Sequence, residues 1–232
     1  MVTVSRVAPR QAAAFTIEGE EWKYDHLFNP CGPFSGGGTS NDGVSILWNP
    51  CVVGIGFDQS VANMADWEAT AGQSAGEWYA YDSSRGHVVF NYLINAVGTG
   101  VVIEATDLGT PNAQGQVILG ETPVSSLYDG SNERAIDGAA VEVNNNSGVI
   151  WCTYDETNCP STSYVLQQTI VHELGHALGL THPVTGPNMP YVMECVAVYL
   201  ENEAVQSDDR NGQMWLYSGH PSDFGSPGAI PC

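Results

Sequence analysis

The clearest periodic pattern of apolar positions lies in residues 163–178. Apolar side chains recur there every three or four residues, which is the spacing that buries one face of an α-helix. Its members are Val165, Leu166, Thr169, Ile170, Leu174, Ala177 and Leu178. The hydroxyl cluster Ser161, Thr162 and Ser163 comes first and is predicted to cap the helix N-terminus. The pattern therefore predicts a helix over 163–178 with one face in a core.

Other segments are rich in β-branched and aromatic residues, which favour strands. They are residues 44–48, 87–97, 100–106, Gln116–Glu121 and 139–143. A second helix is predicted over 60–70, with Ser60 as its cap and Met64 and Trp67 on its apolar face. The order predicts an α/β (α+β) fold with a twisted, mixed four- to five-stranded sheet and two long helices. A small irregular C-terminal subdomain ending in a helix would follow.

Loop-forming segments divide the chain into three predicted parts. Residues 35–40 are rich in glycine and serine, which is typical of a flexible joint. We therefore expect an N-terminal extension over 1–40, an N-terminal subdomain over 41–182 and a C-terminal subdomain over 183–232. In the last part, Ser207 is a predicted N-cap, two aspartates follow it, and Gly219 lies past the end of the predicted helix.

Composition narrows the class of protein. The 232 residues include 6 Lys+Arg and 26 Asp+Glu, for a net charge of −20. Such a charge disfavours nucleic acid and anionic membrane surfaces as partners. No stretch is long and apolar enough to span a bilayer.

The six cysteines are even in number and include no C-x-x-C pair, which favours three disulfides in an oxidising, extracellular compartment. Fifteen connectivities are possible. We expect the three local or terminus-anchoring pairings Cys31–Cys51, Cys152–Cys159 and Cys195–Cys232. Reduced, buried cysteines are the alternative.

The chemistry concentrates in residues 172–182. His172 and His176 are four residues apart, so on a helix they lie one turn apart on one face and can bind one metal ion. Glu173 lies between them and can act on a water beside that ion. Gly179 permits the positive φ that ends the helix and turns the chain, which brings in His182 as a third ligand. Three ligands with one open position are typical of catalytic zinc.

The extended pattern H-E-x-x-H-x-x-G-x-x-H, followed by Met193, resembles the metzincins and is most similar to the matrixins. The resemblance covers about residues 163–219 and includes the segment from Ser207 to Gly219. It implies a secreted, monomeric zinc endopeptidase with His172, His176 and His182 as ligands and Glu173 as general base. Gly179 and Met193 would support the site. Protein or peptide substrates would bind in extended form, and Gln116–Glu121 is the candidate edge strand for them.

The chain also departs from relatives. Cys195 stands where some metzincins place a tyrosine ligand, and residues 194–197 lack the proline and tyrosine usual after the matrixin methionine. His26, His87 and His220 are too scattered for the second, structural zinc of many matrixins, so we expect that site to be absent.

Two further questions stay open at the sequence level. Oxygen-rich loops at 129–133, Asp137 and 144–146 make structural calcium possible. Cys31 lies in a Pro-Cys-Gly setting that resembles the zinc-binding cysteine of matrixin propeptides. The alternative function is therefore a latent or non-catalytic zinc module, masked for example by Cys31.

Overall fold

The computed structural model describes residues 16–17, 46–48, 52–58, 67–79, 89–92, 100–111, 117–128, 134–152, 163–182, 192–193, 204–206, 209–210 and 213. The strands are β1 (Thr16–Ile17), β2 (Ile46–Trp48), β3 (Val52–Phe57), β4 (Val89–Tyr92), β5 (Val101–Thr106), β6 (Gly120–Glu121), β7 (Val124–Tyr128), β8 (Arg134–Asn144), β9 (Trp151–Cys152), β10 (Tyr164–Val165) and β11 (Leu180–Thr181). The helices are α1 (Trp67–Tyr79) and α2 (Leu166–Ala177).

A mixed sheet forms the centre of the fold. Five strands, β2, β8, β5, β3 and β4, pair in the parallel direction, and the short strands β6 and β7 pair with β8 in the antiparallel direction. Strands β2 and β5 pair with successive parts of one edge of β8, and β3 and β4 follow outward from β5. Residues 134–136 of β8 pair with both β2 and β7, so these two strands lie on opposite edges of β8. Residue 139 pairs with both β5 and β7 in the same way. Therefore β6 and β7 together border one side of the sheet.

The alternation of burial along the central strands shows which face of the sheet is covered. Val101 and Ile103 of β5 and Val141 and Val143 of β8 are fully buried, whereas the residues between them are half-buried. This period of two is expected of a sheet covered on one face. Helices α1 and α2 contact each other, α1 contacts β4, and α2 contacts β6 and β8.

Polar contacts help to join the two helices. Ser74 Oγ in α1 donates to the carbonyl oxygen of Thr70 at 2.7 Å and lies 3.4 Å from that of Gln167 in α2. The Trp78 indole nitrogen donates to the Val171 carbonyl oxygen at 2.9 Å. The indole is otherwise buried, so this bond satisfies its one donor. These bonds attach α2 to α1 through side chains of α1.

Two small sheets border the core. Strand β1 pairs antiparallel with β11, and β10 pairs parallel with β9. Cys152 in β9 is buried and disulfide-bonded. The other five cysteines lie outside the described residues, so the predicted pairings stay predictions.

The predicted α/β architecture is confirmed, but three local predictions were wrong. Helix α2 begins at Leu166 after Val165, which has no side-chain cap, instead of after the cluster Ser161, Thr162 and Ser163. The reason is that Tyr164 and Val165 pair as a strand with β9. Helix α1 runs to Tyr79 instead of ending at residue 70, because Ala71, Ala75 and Trp78 continue its buried face. The predicted strand segments include none of β1, β3, β7, β9, β10 and β11, and of the described residues in Gln116–Glu121 only the last two form β6.

Candidate metal centre

Three imidazole rings converge at the C-terminal end of α2. The Nε2 atoms of His172 and His176 are 3.1 Å apart, those of His172 and His182 are 3.1 Å apart, and those of His176 and His182 are 3.2 Å apart. Within the described part of the chain, this is the only group of three or more His, Cys, Asp or Glu side chains that could hold a metal ion. The three predicted ligands therefore lie together.

The second nitrogen of two of these rings fixes their tautomers. His172 Nδ1 lies 2.6 Å from the carbonyl oxygen of Val192, and His176 Nδ1 lies 2.8 Å from that of Leu180. A carbonyl oxygen only accepts, so each Nδ1 carries the proton and each Nε2 keeps its lone pair. Burial lowers the pKa of His172, while the bond to Val192 opposes that effect. Neutral rings with a free Nε2 lone pair are what a metal ligand requires.

The backbone explains how the third ring arrives. Helix α2 ends at Ala177, and Gly179 has φ of 95°, in the left-handed region that favours glycine. The Gly179 amide donates to the carbonyl oxygen of His176 at 2.8 Å. The chain then reverses into β11 and places His182 against the helix. The role predicted for Gly179 in the chain reversal therefore has the backbone geometry it needs.

The donor set fits a zinc ion. Three ligand nitrogens bound tetrahedrally at about 2.0–2.1 Å stand about 3.3–3.4 Å from one another. The observed separations of 3.1 to 3.2 Å are close to that value. Three lone pairs facing each other at this distance repel unless a cation lies between them. Imidazole is also a preferred ligand of zinc.

Glu173 is held in the protein interior beside these ligands. Its side chain is only 4% exposed, and burial raises its pKa to about 8. Thr122 opposes that shift, because its hydroxyl donates a 2.7 Å hydrogen bond to Glu173 Oε2. A cation at the three imidazoles would lower the pKa again, because a nearby positive charge favours the carboxylate. The protonation of Glu173 therefore depends on whether a cation lies at the three imidazoles.

Met193, which is predicted to support the site, packs against α2 beside Gly175. It is 1% exposed. A Cβ atom added to Gly175 would fall directly on Met193 Sδ, so the lack of a side chain at Gly175 lets the methionine reach the helix. This role of Gly175 is not among the sequence predictions, although a glycine inside a helical pattern is a visible signal.

The Asp209 carboxylate binds the backbone of residues 192–193, here called the methionine segment. Its carboxylate accepts hydrogen bonds from the amides of Val192, Met193 and Gln206 at 3.1, 3.2 and 2.9 Å. Burial raises the pKa of Asp209, and the three amide donors oppose the shift. Val192 in turn accepts a hydrogen bond from His172, so Asp209 is linked to a predicted metal ligand through one intermediate residue. From the sequence alone, Asp209 is predicted only to lie in the first turn of a helix.

The predicted calcium loops are not joined into a site by the described residues. Asn144 uses its side chain to bind backbone: its Oδ1 accepts from Leu108 and Asn146, and its Nδ2 donates to Gly109 and Ile118. These hydrogen bonds link Asn144 to the backbone of neighbouring loops, and they use both polar atoms of its side chain. Residues 129–133, Cys31 and Cys195 lie outside the described residues. No described helix is long and apolar enough to cross a membrane.

Comparison with known proteins agrees with this geometry. A family model described as matrixin matches residues 56–218, which is well over half of the chain. The 72 kDa type IV collagenase of Gallus gallus is 32% identical to the chain over 84 residues, which are 33% of this chain and 12% of that protein. The chain therefore corresponds to a small part of that relative's length.

Proposed function

The chain belongs to the matrixin family, and from that premise we propose that it is a zinc-dependent endopeptidase that hydrolyses peptide bonds in proteins. One observation carries the proposal. Three histidines, at least two of them with Nε2 free of its proton, converge on one point, and the residue after the first of them is the buried carboxyl group Glu173. A closed structural site would need a fourth protein ligand, and the described residues offer none.

In the proposed mechanism, the metal activates the carbonyl group and the water, and Glu173 transfers the proton. When bound, zinc would supply a Lewis acid that polarises a carbonyl group and lowers the pKa of a water from 15.7 to about 7. Glu173 would accept the proton of the attacking water on a carboxylate oxygen and then donate it to the leaving amine nitrogen. His172, His176 and His182 would hold the ion, and Met193 would form the apolar support beneath them.

The substrate would be a protein or peptide in extended form. Strand β6 borders the sheet beside α2, and no described strand pairs with its outer edge. An extended peptide can add to such an edge through backbone hydrogen bonds. Ile118, just before β6, is 48% exposed and would offer an apolar contact. We propose residues 116–121 as the substrate-binding edge.

The proposal includes secretion, because the even cysteine count and net charge of −20 suit an extracellular protein. It also includes the three-part division at residues 40 and 182 and one catalytic zinc per chain. The alternative is a latent zinc module masked by Cys31. It predicts the same zinc content without cleavage until Cys31 is replaced.

A comparison of Glu173→Gln with Glu77→Gln tests the proposal. Glu77 lies on α1, so its variant controls for loss of one carboxylate. We expect the wild type and Glu77→Gln to cleave a denatured protein and a chelator to abolish cleavage. Glu173→Gln should keep one zinc per chain and lose about 10²- to 10⁴-fold in kcat. Near-normal turnover by Glu173→Gln would exclude it as general base, and zinc-loaded wild type that stays inert after Cys31→Ser would exclude the endopeptidase.

A further inference from the structure

The segment of residues 120–122, here called the edge segment, touches the proposed general base at two points. Thr122 Oγ1 lies 2.7 Å from Glu173 Oε2 and 3.2 Å from the Glu173 carbonyl oxygen. A hydroxyl has one proton, and a carboxylate is the stronger acceptor. The shorter contact is therefore the hydrogen bond that fixes Glu173 Oε2.

Gly120 limits the carboxylate from a second direction. A Cβ atom added at Gly120 would lie 2.7 Å from both Cγ and Oε1 of Glu173 and 2.9 Å from its Cδ. The carboxyl group therefore occupies the space that a side chain at residue 120 would fill. Thr122 and Gly120 together leave Glu173 little freedom to change rotamer.

The edge segment is itself fixed to the sheet on both sides of Thr122. The amide of Asn144 donates to the carbonyl oxygen of Leu119 at 2.9 Å, and the amide of Ala140 donates to that of Pro123 at 3.1 Å. Asn144 Nδ2 adds a 2.7 Å bond to the carbonyl oxygen of Ile118. A hydroxyl carried on a strand anchored in this way is preorganised for its partner.

We propose that Thr122 is a positioning residue that holds the Glu173 carboxylate in its catalytic orientation. The inference rests on the proposed endopeptidase function and deepens it. The hydroxyl anchors Oε2, so Oε1 is the oxygen left to accept the proton of the attacking water. Because the hydroxyl is committed to Glu173, its loss changes the rate of the chemical step and leaves substrate and zinc binding as they are.

The contact also has a purely structural interpretation, in which Thr122 merely joins the edge segment to α2. That interpretation predicts that loss of the hydroxyl lowers the melting temperature and zinc affinity together with activity. The two interpretations differ in three measurements: kcat against KM, zinc affinity by competition with a chelator, and thermal unfolding.

The test compares Thr122→Val, which keeps the shape without the hydroxyl, with Thr122→Ser, which keeps the hydroxyl. Thr169→Val is the matched control, because the buried Thr169 hydroxyl donates to a backbone carbonyl oxygen, that of Val165 at 3.3 Å. We expect Thr122→Val to lower kcat by about ten- to a hundredfold, the fold-change of losing a hydrogen bond to a charged group. KM, zinc affinity and melting temperature should match those of Thr169→Val, and Thr122→Ser should restore kcat.

The same substitution made in the Glu173→Gln background completes a double-mutant cycle. If Thr122 acts through Glu173, Thr122→Val lowers the residual rate of Glu173→Gln no further. An active wild type with an equally active Thr122→Val variant would overturn this inference alone, and so would a loss of kcat that follows zinc occupancy. A zinc-loaded wild type that cleaves no peptide would overturn the proposed function and this inference with it.

Discussion

Replacing Gly175 by alanine is a direct test of how closely Met193 packs on α2. The added Cβ would fall on Met193 Sδ, 3.1 Å from Met193 Cε and 2.9 Å from Cζ2 of Trp78. Both neighbours are at most 2% exposed. The Trp78 ring is also fixed by its hydrogen bond to Val171, so it cannot turn aside without breaking that bond.

Two opposing effects decide the size of the change. Overpacking a well-filled core costs about 1–3 kcal/mol. Alanine gains up to about 1 kcal/mol over glycine through helix propensity. Because one of the two obstacles is a rigid ring, we expect Gly175→Ala to lower the free energy of unfolding by a net of about 2 kcal/mol.

Gly76→Ala is the matched control, since Gly76 is an exposed glycine in α1 whose added Cβ would meet nothing within 4 Å. It should show the propensity gain alone and raise the free energy of unfolding by roughly 0.5–1 kcal/mol. Urea unfolding at a fixed free zinc concentration measures both variants, because zinc that binds only the folded state adds to stability. If Gly175→Ala were as stable as Gly76→Ala, the close packing described here would be refuted.

A double-mutant cycle with Met193→Ala identifies the obstacle. If Met193 is the atom that must move, Gly175→Ala costs less in the Met193→Ala background than in the wild type. If Trp78 is the obstacle, the cost is the same in both backgrounds.

Two further predictions follow from buried or crowded carboxylates. Asp209→Asn should lower the free energy of unfolding by about 1–3 kcal/mol, because an amide nitrogen replaces a carboxylate oxygen that accepts hydrogen bonds from backbone amides. The affinity for zinc should fall as well. Unchanged urea unfolding and an unchanged zinc titration would contradict this prediction. Glu142 faces Glu104 on β5 and Glu121 on β6 in register, and burial followed by these two charges raises its pKa. Unfolded chains therefore ionise this group first, so its contribution to stability is most favourable below pH 4.5 and declines as pH rises through the raised pKa. Glu142→Gln should raise the free energy of unfolding at pH 7 by about 0.2–1 kcal/mol. This increase should vanish in acid and become smaller in high salt. An increase that does not depend on pH would exclude charge repulsion as its cause.

The sequence predicted the parts of the site that depend on local spacing. His172 and His176 meet because they are one helical turn apart, and His182 joins them because a glycine lets the chain reverse within three residues. These relations hold whatever the remainder of the chain does. The predicted start of α2 was wrong for the opposite reason. Its true start depends on the pairing of β10 with β9, which lies more than ten residues away in the sequence.

The supporting residues could not be predicted for the same physical reason. Thr122 is 51 residues from Glu173, and Asp209 is 16 or 17 residues from the amides it binds. No periodicity links such positions, because their contact depends on how β6 and the methionine segment pack against α2. A threonine in a strand or an aspartate in the first turn of a helix has an ordinary local explanation, and only the tertiary structure shows the second role.

These two supports reach α2 from different elements, and their effects should separate. Asp209 acts on Val192 and Met193, and Val192 accepts the proton of His172, so this chain of contacts ends on a metal ligand. Thr122 acts on Glu173, which the proposed chemistry uses for proton transfer and not for metal binding. Variants of Asp209 should therefore change zinc affinity, whereas variants of Thr122 should change turnover at full zinc occupancy. Helix α2 carries His172 and Glu173 in adjacent positions, yet the two side chains are bound by different elements, so we expect the proposed ligand and the proposed base to respond to different variants.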